Sequence, residues 1–169
     1  VSTPDSVANS IRQSITFEFD IAPDSWASGA HQTLTNKYSG SGWLVRLLTG
    51  GHINLLLSGS AAASASSFVP GFAAGSRHKI QVKWDAITKL VTFSEFIDGA
   101  WVVISTGSLD APDIADNSVP VILGSWGSER FNGKIYSSTV TKGPTPYPYV
   151  LLDGVSGTYV STPDSAANS

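Results

Sequence analysis

The feature that most constrains this chain is a two-residue rhythm of apolar and polar side chains, broken by turn residues about every 8–12 positions. Ile15, Phe17, Phe19 and Ile21 alternate with Thr16, Glu18 and Asp20, and Pro23-Asp24 closes the run. Successive side chains of a strand point to opposite faces, so this run offers one face to a core and one to water. The same reading places strands at Gln32–Lys37, Trp43–Leu48, His52–Leu57, Lys79–Trp84, Leu90–Ile97, Ala100–Ser105, Pro120–Gly124 and Lys134–Val140. Gly50-Gly51 and Asp98-Gly99 read as hairpin turns, because both dipeptides tolerate the positive φ of tight turns. Asp85–Lys89 is a further turn. No amphipathic helical stretch exceeds about two turns, which excludes Rossmann and TIM-barrel architectures. The expected fold class is all-β, an antiparallel β-sandwich.

Two stretches break the rhythm. Residues 58–67 (SGSAAASASS) read as an exposed loop or a weak edge, with a short helix as the alternative that the alanines allow. Residues 142–149 (KGPTPYPY) carry prolines at alternate positions. Proline fixes φ and removes a backbone donor, so this reads as an extended linker. The expected organisation is a sandwich over 1–141, a Pro-rich linker over 142–149, and over 150–169 a strand that completes a sandwich or starts the next repeat.

The two ends repeat one another. Residues 1–10 (VSTPDSVANS) and 160–169 (VSTPDSAANS) match at nine of ten positions, differing only at Val7 and Ala166. The offset of 159 residues is the size of a domain, not of a solenoid unit. The chain is therefore read as a piece of a tandem array or a polymer subunit, beginning about one strand late in its first module. A sandwich short of one strand exposes an unpaired edge. Residues 150–159 are expected to fill it, within the chain or in a neighbour by strand addition.

Composition removes several classes of function. Hydrophobic residues make up 41% and charged residues 14%, too apolar for a disordered segment. The net charge of −3, with scattered Lys and Arg, gives no drive toward nucleic acid or anionic lipid. No apolar run approaches the roughly 20 residues that span a bilayer. Cysteine is absent, which excludes a disulfide framework and thiolate metal sites.

The ordered elements resemble a known family. LLDGVSGTYVSTPDS (151–165), ITFEFDIAPD (15–24), QTLTNKY (32–38), VKWDAITKLVTFSEFIDGAWVVI (82–104) and VILGSWGSERFNGKIYSSTV (121–140) resemble successive strands of laminin-G-like, concanavalin A-like lectin and glucanase domains. Phe131-Asn-Gly-Lys-Ile-Tyr136 is the most specific piece. The resemblance implies a jelly-roll sandwich. Cys-free tandem forms are similar to modules of bacteriophage tail and virion proteins and of bacterial adhesins. It further implies a non-enzymatic structural or adhesion module on a virion surface or in the extracellular space. Its partners would be copies of itself, neighbouring surface subunits and glycans. The alternative is a protomer that polymerises by strand exchange without a ligand.

Catalysis is the third reading, because glucanases of this fold place Glu-x-Asp-x-x-Glu on one strand. Here Glu18-Phe-Asp20 is followed by Pro at position 23, where the pattern needs Glu. Glu95 and Asp98 form another pair, but Asp98 is explained by its turn and Glu95 by a solvent face. His31, His52 and His78 show no metal-ligand spacing, and His52 and His78 read as surface residues. Calcium is the one cofactor with a candidate set, Asp110, Asp113 and Asp116, in a loop without the turn glycine. A solvated Asx-turn loop explains those three as well.

A glycan site needs an exposed aromatic platform beside polar groups. Trp43 and Trp84 fall within strands and are expected in the core, and Trp101 is expected over its own hairpin. Trp26 and Trp126 fall in loops. Trp26 with Asp24, and Trp126 with Glu129 and Arg130, are therefore the candidate carbohydrate-binding residues, against the commoner role of loop tryptophans as core covers.

Overall fold

The computed structural model describes residues 2–3, 14–58, 62–68, 71–111, 119–142 and 145–149. In chain order the strands are β1 (Ser2–Thr3), β2 (Ile15–Pro23), β3 (Gln32–Tyr38), β4 (Gly42–Leu48), β5 (His52–Ser58), β6 (Ala62–Phe68) and β7 (His78–Trp84). They continue as β8 (Leu90–Ile97), β9 (Ala100–Ser108), β10 (Val121–Leu123), β11 (Ser125–Trp126), β12 (Glu129–Arg130), β13 (Gly133–Lys142) and β14 (Thr145–Tyr149). No helix occurs among the described residues, and so none long and apolar enough to cross a membrane. The front sheet runs β1-β10-β3-β4-β5-β6, the back sheet β14-β13-β2-β7-β8-β9, and β11 and β12 form a small ribbon. All pairings are antiparallel.

The alternation seen in the sequence becomes the two faces of each sheet. Phe17, Phe19, Ile21, Ile80, Val82, Trp84, Val91 and Phe93 of the back sheet point inward. They meet Leu34, Trp43, Val45, Leu47, Ile53, Leu55 and Leu57 of the front sheet. Phe17 and Trp43 touch across the interface with ring centroids 5.0 Å apart. Burying each such side chain contributes about 1.5–3 kcal/mol. Trp84 satisfies its indole N–H on Leu109 O at 3.0 Å, which lets a polar handle sit in the core.

The expected turns form with the backbone that their residues favour. Gly50 and Gly51 have φ of +85° and +82° in the loop that pairs Leu48 with His52. Asp98 and Gly99 have φ of +50° and +86°, and Ile97 pairs with Ala100 across them, as a two-residue type I′ hairpin requires.

Of the two irregular stretches, the first takes its weak-edge alternative and the second differs from expectation. Of residues 58–67, most form β6, which pairs with β5 over seven positions at the sheet edge. Ala and Ser carry little apolar surface, so the stretch lacks an alternating signal, and the backbone ladder makes the strand. Within the Pro-rich segment, Thr145–Tyr149 is β14, an edge strand on β13, where a free linker was expected. An edge strand bonds on one side only, so alternate residues need no partner for their N–H. Pro146 and Pro148 are two residues apart, so their missing donors share one side of the strand. Tyr147, between them, lies opposite Val140.

The front sheet has its own first edge strand, because Ser2 and Thr3 pair with Ile122 and Val121 of β10. The expected edge-filling strand at 150–159 lies outside the described residues.

Candidate functional site

The outer face of the back sheet carries a row of chemically capable side chains. Alternation on β2 puts Glu18 and Asp20 outward while Phe17, Phe19 and Ile21 go to the core. Register then decides who stands beside them. Ser137 and Lys79 flank Asp20, and Thr139 and Gln81 flank Glu18. On β8 and β9, Phe96 faces Trp101 directly. All of these but Gln81 line one shallow groove of about 280 Å³. From β2 to β9 it crosses three strand spacings, a span of about 14 Å.

Each end of the groove has its own chemistry. At the β8–β9 end the rings of Phe96 and Trp101 meet edge to face, with centroids 5.2 Å apart. Phe96 is 38% exposed and Trp101 half-buried, so the pair presents apolar surface to solvent. Lys79 bridges toward it, its Nζ 5.4 Å from the Phe96 centroid. At the β2 end, Arg77 donates Nε to Asp20 Oδ1 at 2.7 Å and Nη2 to Oδ2 at 2.8 Å. The flat guanidinium lies 3.8 Å above the Tyr136 ring. Tyr136 reaches that position because the β13–β2 register shifts between Ile135 and Ser137, leaving it unpaired at a bulge. From the neighbouring strand, Gln81 Nε2 donates to Glu18 Oε1 at 2.8 Å.

The arrangement suits recognition better than cleavage. Glu18 and Asp20 stand two residues apart on one strand, as the first two positions of the glucanase pattern do, and the third position, 23, is Pro. Both oxygens of Asp20 are occupied by Arg77. The groove offers carboxylate and hydroxyl acceptors, an ammonium donor and an apolar ring pair.

The loop tryptophans land elsewhere. Trp26 is 3% exposed and part of the core, which corrects its expected role as a platform. Its N–H lies 3.2 Å from both the carbonyl and the hydroxyl of Ser76, fifty residues away. Asp24 is exposed, and its backbone N–H donates to Asn132 O at 2.9 Å. Trp126 and Glu129 do come together, as the opposed pair of the β11–β12 ribbon. Trp126 is half-buried, edge-on to Tyr38 at 5.7 Å. Glu129 receives Arg46 on Oε1 at 2.9 Å and Thr33 on Oε2 at 3.0 Å, so it pins the ribbon over β3. Arg130 is exposed and donates to Gly127 O at 2.8 Å, closing its own turn.

His78 is half-buried rather than a free surface residue. Its ring stacks on Phe72 at 3.6 Å, with Nδ1 2.6 Å from Glu95 Oε1 and Nε2 2.9 Å from Ser76 Oγ. The order resembles a Ser-His-acid relay, but the Ser76 hydroxyl is already engaged. It donates to Ala73 O at 2.6 Å and accepts from Trp26. We read the set as the anchor that holds the 71–77 loop on the sandwich rim. Of the calcium candidates, Asp110 is exposed, while Asp113 and Asp116 lie outside the described residues. Among the described residues no three His, Asp or Glu side chains converge as metal ligands.

Sequence reasoning noticed Glu18 and Asp20 but missed the groove. Lys79, Phe96, Trp101 and Ser137 join it through strand register, which a single sequence does not display. The available signal was the polar alternate face of β2 and β7.

No family model matches the chain. No curated protein matches it either. Solved structures do. Mouse laminin α1 domains LG4-5 match at TM-score 0.61 and 14% identity, over 82% of this chain and 39% of that one. The CBM40 of the Ruminococcus gnavus IT-sialidase, bound to α2,3-sialyllactose, matches at TM-score 0.60 and 16% identity, over 77% and 76%. Tailspike protein 2 of Escherichia coli O157:H7 bacteriophage CAB120 matches at TM-score 0.54 and 15% identity, over 80% and 20%. The chain thus spans less than half of the laminin and tailspike chains that it resembles. At these identities the likeness concerns the fold alone, and that fold is the laminin-G-like jelly-roll sandwich.

Proposed function

We propose that this chain is a non-catalytic, carbohydrate-binding adhesion module of a virion or cell surface, and that its glycan lies in the outer groove of the back sheet. One observation carries the reading. A solvent-facing Phe96–Trp101 pair stands at one end of a row of hydrogen-bonding groups that includes Lys79, Ser137, Thr139 and Glu18. A pyranose has an apolar face that stacks on an aromatic ring and a rim of hydroxyls that pairs with carboxylates, hydroxyls and ammonium groups. The groove supplies both kinds of partner. The likeness to a CBM40 bound to sialyllactose, and to a phage tailspike, supports a binding role in such a setting.

A second, smaller contact is proposed at Trp126, with Glu129 and Arg130 beside it on the ribbon. Both are tested together by screening the chain on a glycan array and titrating the best hit into Trp101→Ala and Trp126→Ala variants. Loss of binding in Trp101→Ala alone supports the groove, and loss in Trp126→Ala alone moves the site to the ribbon. An array with no hit overturns the carbohydrate reading.

A further inference from the structure

The structure places one copy of the repeated decapeptide, and that placement says what the other copy can do. Ser2 and Thr3 of the first copy form β1, antiparallel to β10, with Ser2 opposite Ile122 and Thr3 opposite Val121. The second copy reads Val160-Ser-Thr-Pro163, the same four residues as Val1–Pro4. The single difference, Val7 against Ala166, lies outside the paired positions. A ladder held by backbone bonds and formed by identical residues has the same register available to both copies.

The four outer strands of the two sheets are not equally open. On one side, β6 and β9 lie against each other. On β14, Pro146 and Pro148 remove two donors from the same side of the strand, the device by which natural sheets resist further pairing. The remaining edge is the one at β10, whose covering strand β1 has Ser2 and Thr3 among the described residues. Exchange of an identical segment between copies is a low-cost route to assembly, since the bonds broken equal the bonds made.

We propose that residues 160–169 of one copy of this chain replace β1 on β10 of a second copy, with Ser161 opposite Ile122 and Thr162 opposite Val121. The surface given (the 160–169 segment) and the surface used (β10) differ, so the contact is head to tail. It propagates into a ring or a filament according to the rotation between copies. The partner is another copy of this chain, and the contact is independent of any glycan in the groove.

The absence of cysteine makes the register directly readable. Directly opposed residues of an antiparallel pair have Cα atoms about 4.5–5.5 Å apart, within disulfide range. One full-length chain carrying Ile122→Cys is mixed with another carrying Ser161→Cys and oxidised. The proposal expects a disulfide heterodimer, lost when the donor chain also carries Thr162→Pro, and weaker when its cysteine is moved to Ala167. No heterodimer, or equal yield from Ala167→Cys, overturns it. So does a chain carrying both Ile122→Cys and Ser161→Cys that closes only on itself. Because Ile122→Cys could disturb β10, the unmodified chain is also followed by light scattering across concentration. Mass that rises with concentration and falls back when excess VSTPDSAANS peptide is added supports exchange, and a monomer at every concentration refutes it.

Discussion

Arg77 grips Asp20 through two parallel hydrogen bonds of 2.7 and 2.8 Å, yet the partners differ sharply in exposure. The Asp20 side chain is 6% exposed and that of Arg77 is 55% exposed. The bond to Asp20 raises the guanidinium pKa further above its ordinary value, so the cation persists at any pH where the protein folds. Losing each partner therefore has a different consequence. Arg77→Ala leaves an enclosed carboxylate without the cation that holds both its oxygens, whereas Asp20→Asn leaves a guanidinium that water can solvate. We expect Arg77→Ala to lower the melting temperature more than Asp20→Asn does. Arg77→Lys should fall between wild type and Arg77→Ala, since it keeps charge but not the fork. The double variant should lose less than the two single losses combined. Strict additivity in thermal melts would show that the pair is not coupled.

Trp101 should separate binding from folding. It lies at the end of the groove, edge-on to Phe96, outside the core cluster. Trp101→Ala should leave the melting temperature close to wild type. It should weaken the best glycan ligand by at least about tenfold, or about 1.4 kcal/mol. Calorimetric titration and a melt on the same sample check both halves. A large fall in stability with unchanged affinity would make the ring a structural cover.

Gly133 explains why the Phe131–Tyr136 segment has the residues it has. Its φ is +136°, and a Cβ there would press on Ala22 O and lie 2.5 Å from Pro23 Cα. The last pair of the β13–β2 ladder, Gly133 with Pro23, forms only because no side chain intervenes. Gly133→Ala should destabilise the fold by about 1–3 kcal/mol, through strain at positive φ and a backbone clash. Gly99→Ala is the control, because nothing lies within 4 Å of its Cβ position despite a φ of +86°. Urea unfolding of the two variants should show the larger loss at position 133.

Which parts of this molecule were legible beforehand follows from range. The strands with strong alternation, such as 15–21 and 79–84, and the Gly50-Gly51 and Asp98-Gly99 turns were legible because their signals are local. So was the burial of Trp43 and Trp84, which their places within strands imply. β6 was legible only as a weak edge among alternatives, because Ala and Ser give no apolar rhythm and its pairing with β5 is carried by backbone. Trp26 was misread because its neighbours in the chain suggest an open loop, while its enclosure comes from the 71–77 loop. The groove was hidden for the same reason. Glu18, Lys79 and Trp101 are brought together by register across four strands, and no spacing in the chain encodes that.

The turn between β7 and β8 gives a prediction about acid. Asp85 Oδ1 accepts the backbone N–H groups of Thr88 and Ile87, each at 2.9 Å. These bonds, Thr88 first, hold the carboxyl below the ordinary carboxylate value of 3.8. They favour the ionised form and orient the chain into Lys89, whose φ is +59°. A carboxylate with a depressed folded-state pKa stabilises the fold fully above its unfolded value of about 3.9. That contribution fades as pH falls through the lower folded value. Asp85→Ala should therefore be less stable than wild type at pH 7. The gap should narrow progressively below about pH 4, as wild type itself loses the contribution. Asp85→Asn keeps an oxygen that can accept both N–H groups but does not titrate in this range. It should hold more of the turn than Asp85→Ala and remove this part of the acid sensitivity. Urea midpoints measured for the three proteins from pH 7 down to pH 2.5 would show it. A gap between wild type and Asp85→Ala that stays constant over that range would mean the side chain acts through packing or backbone preference and not through its charge.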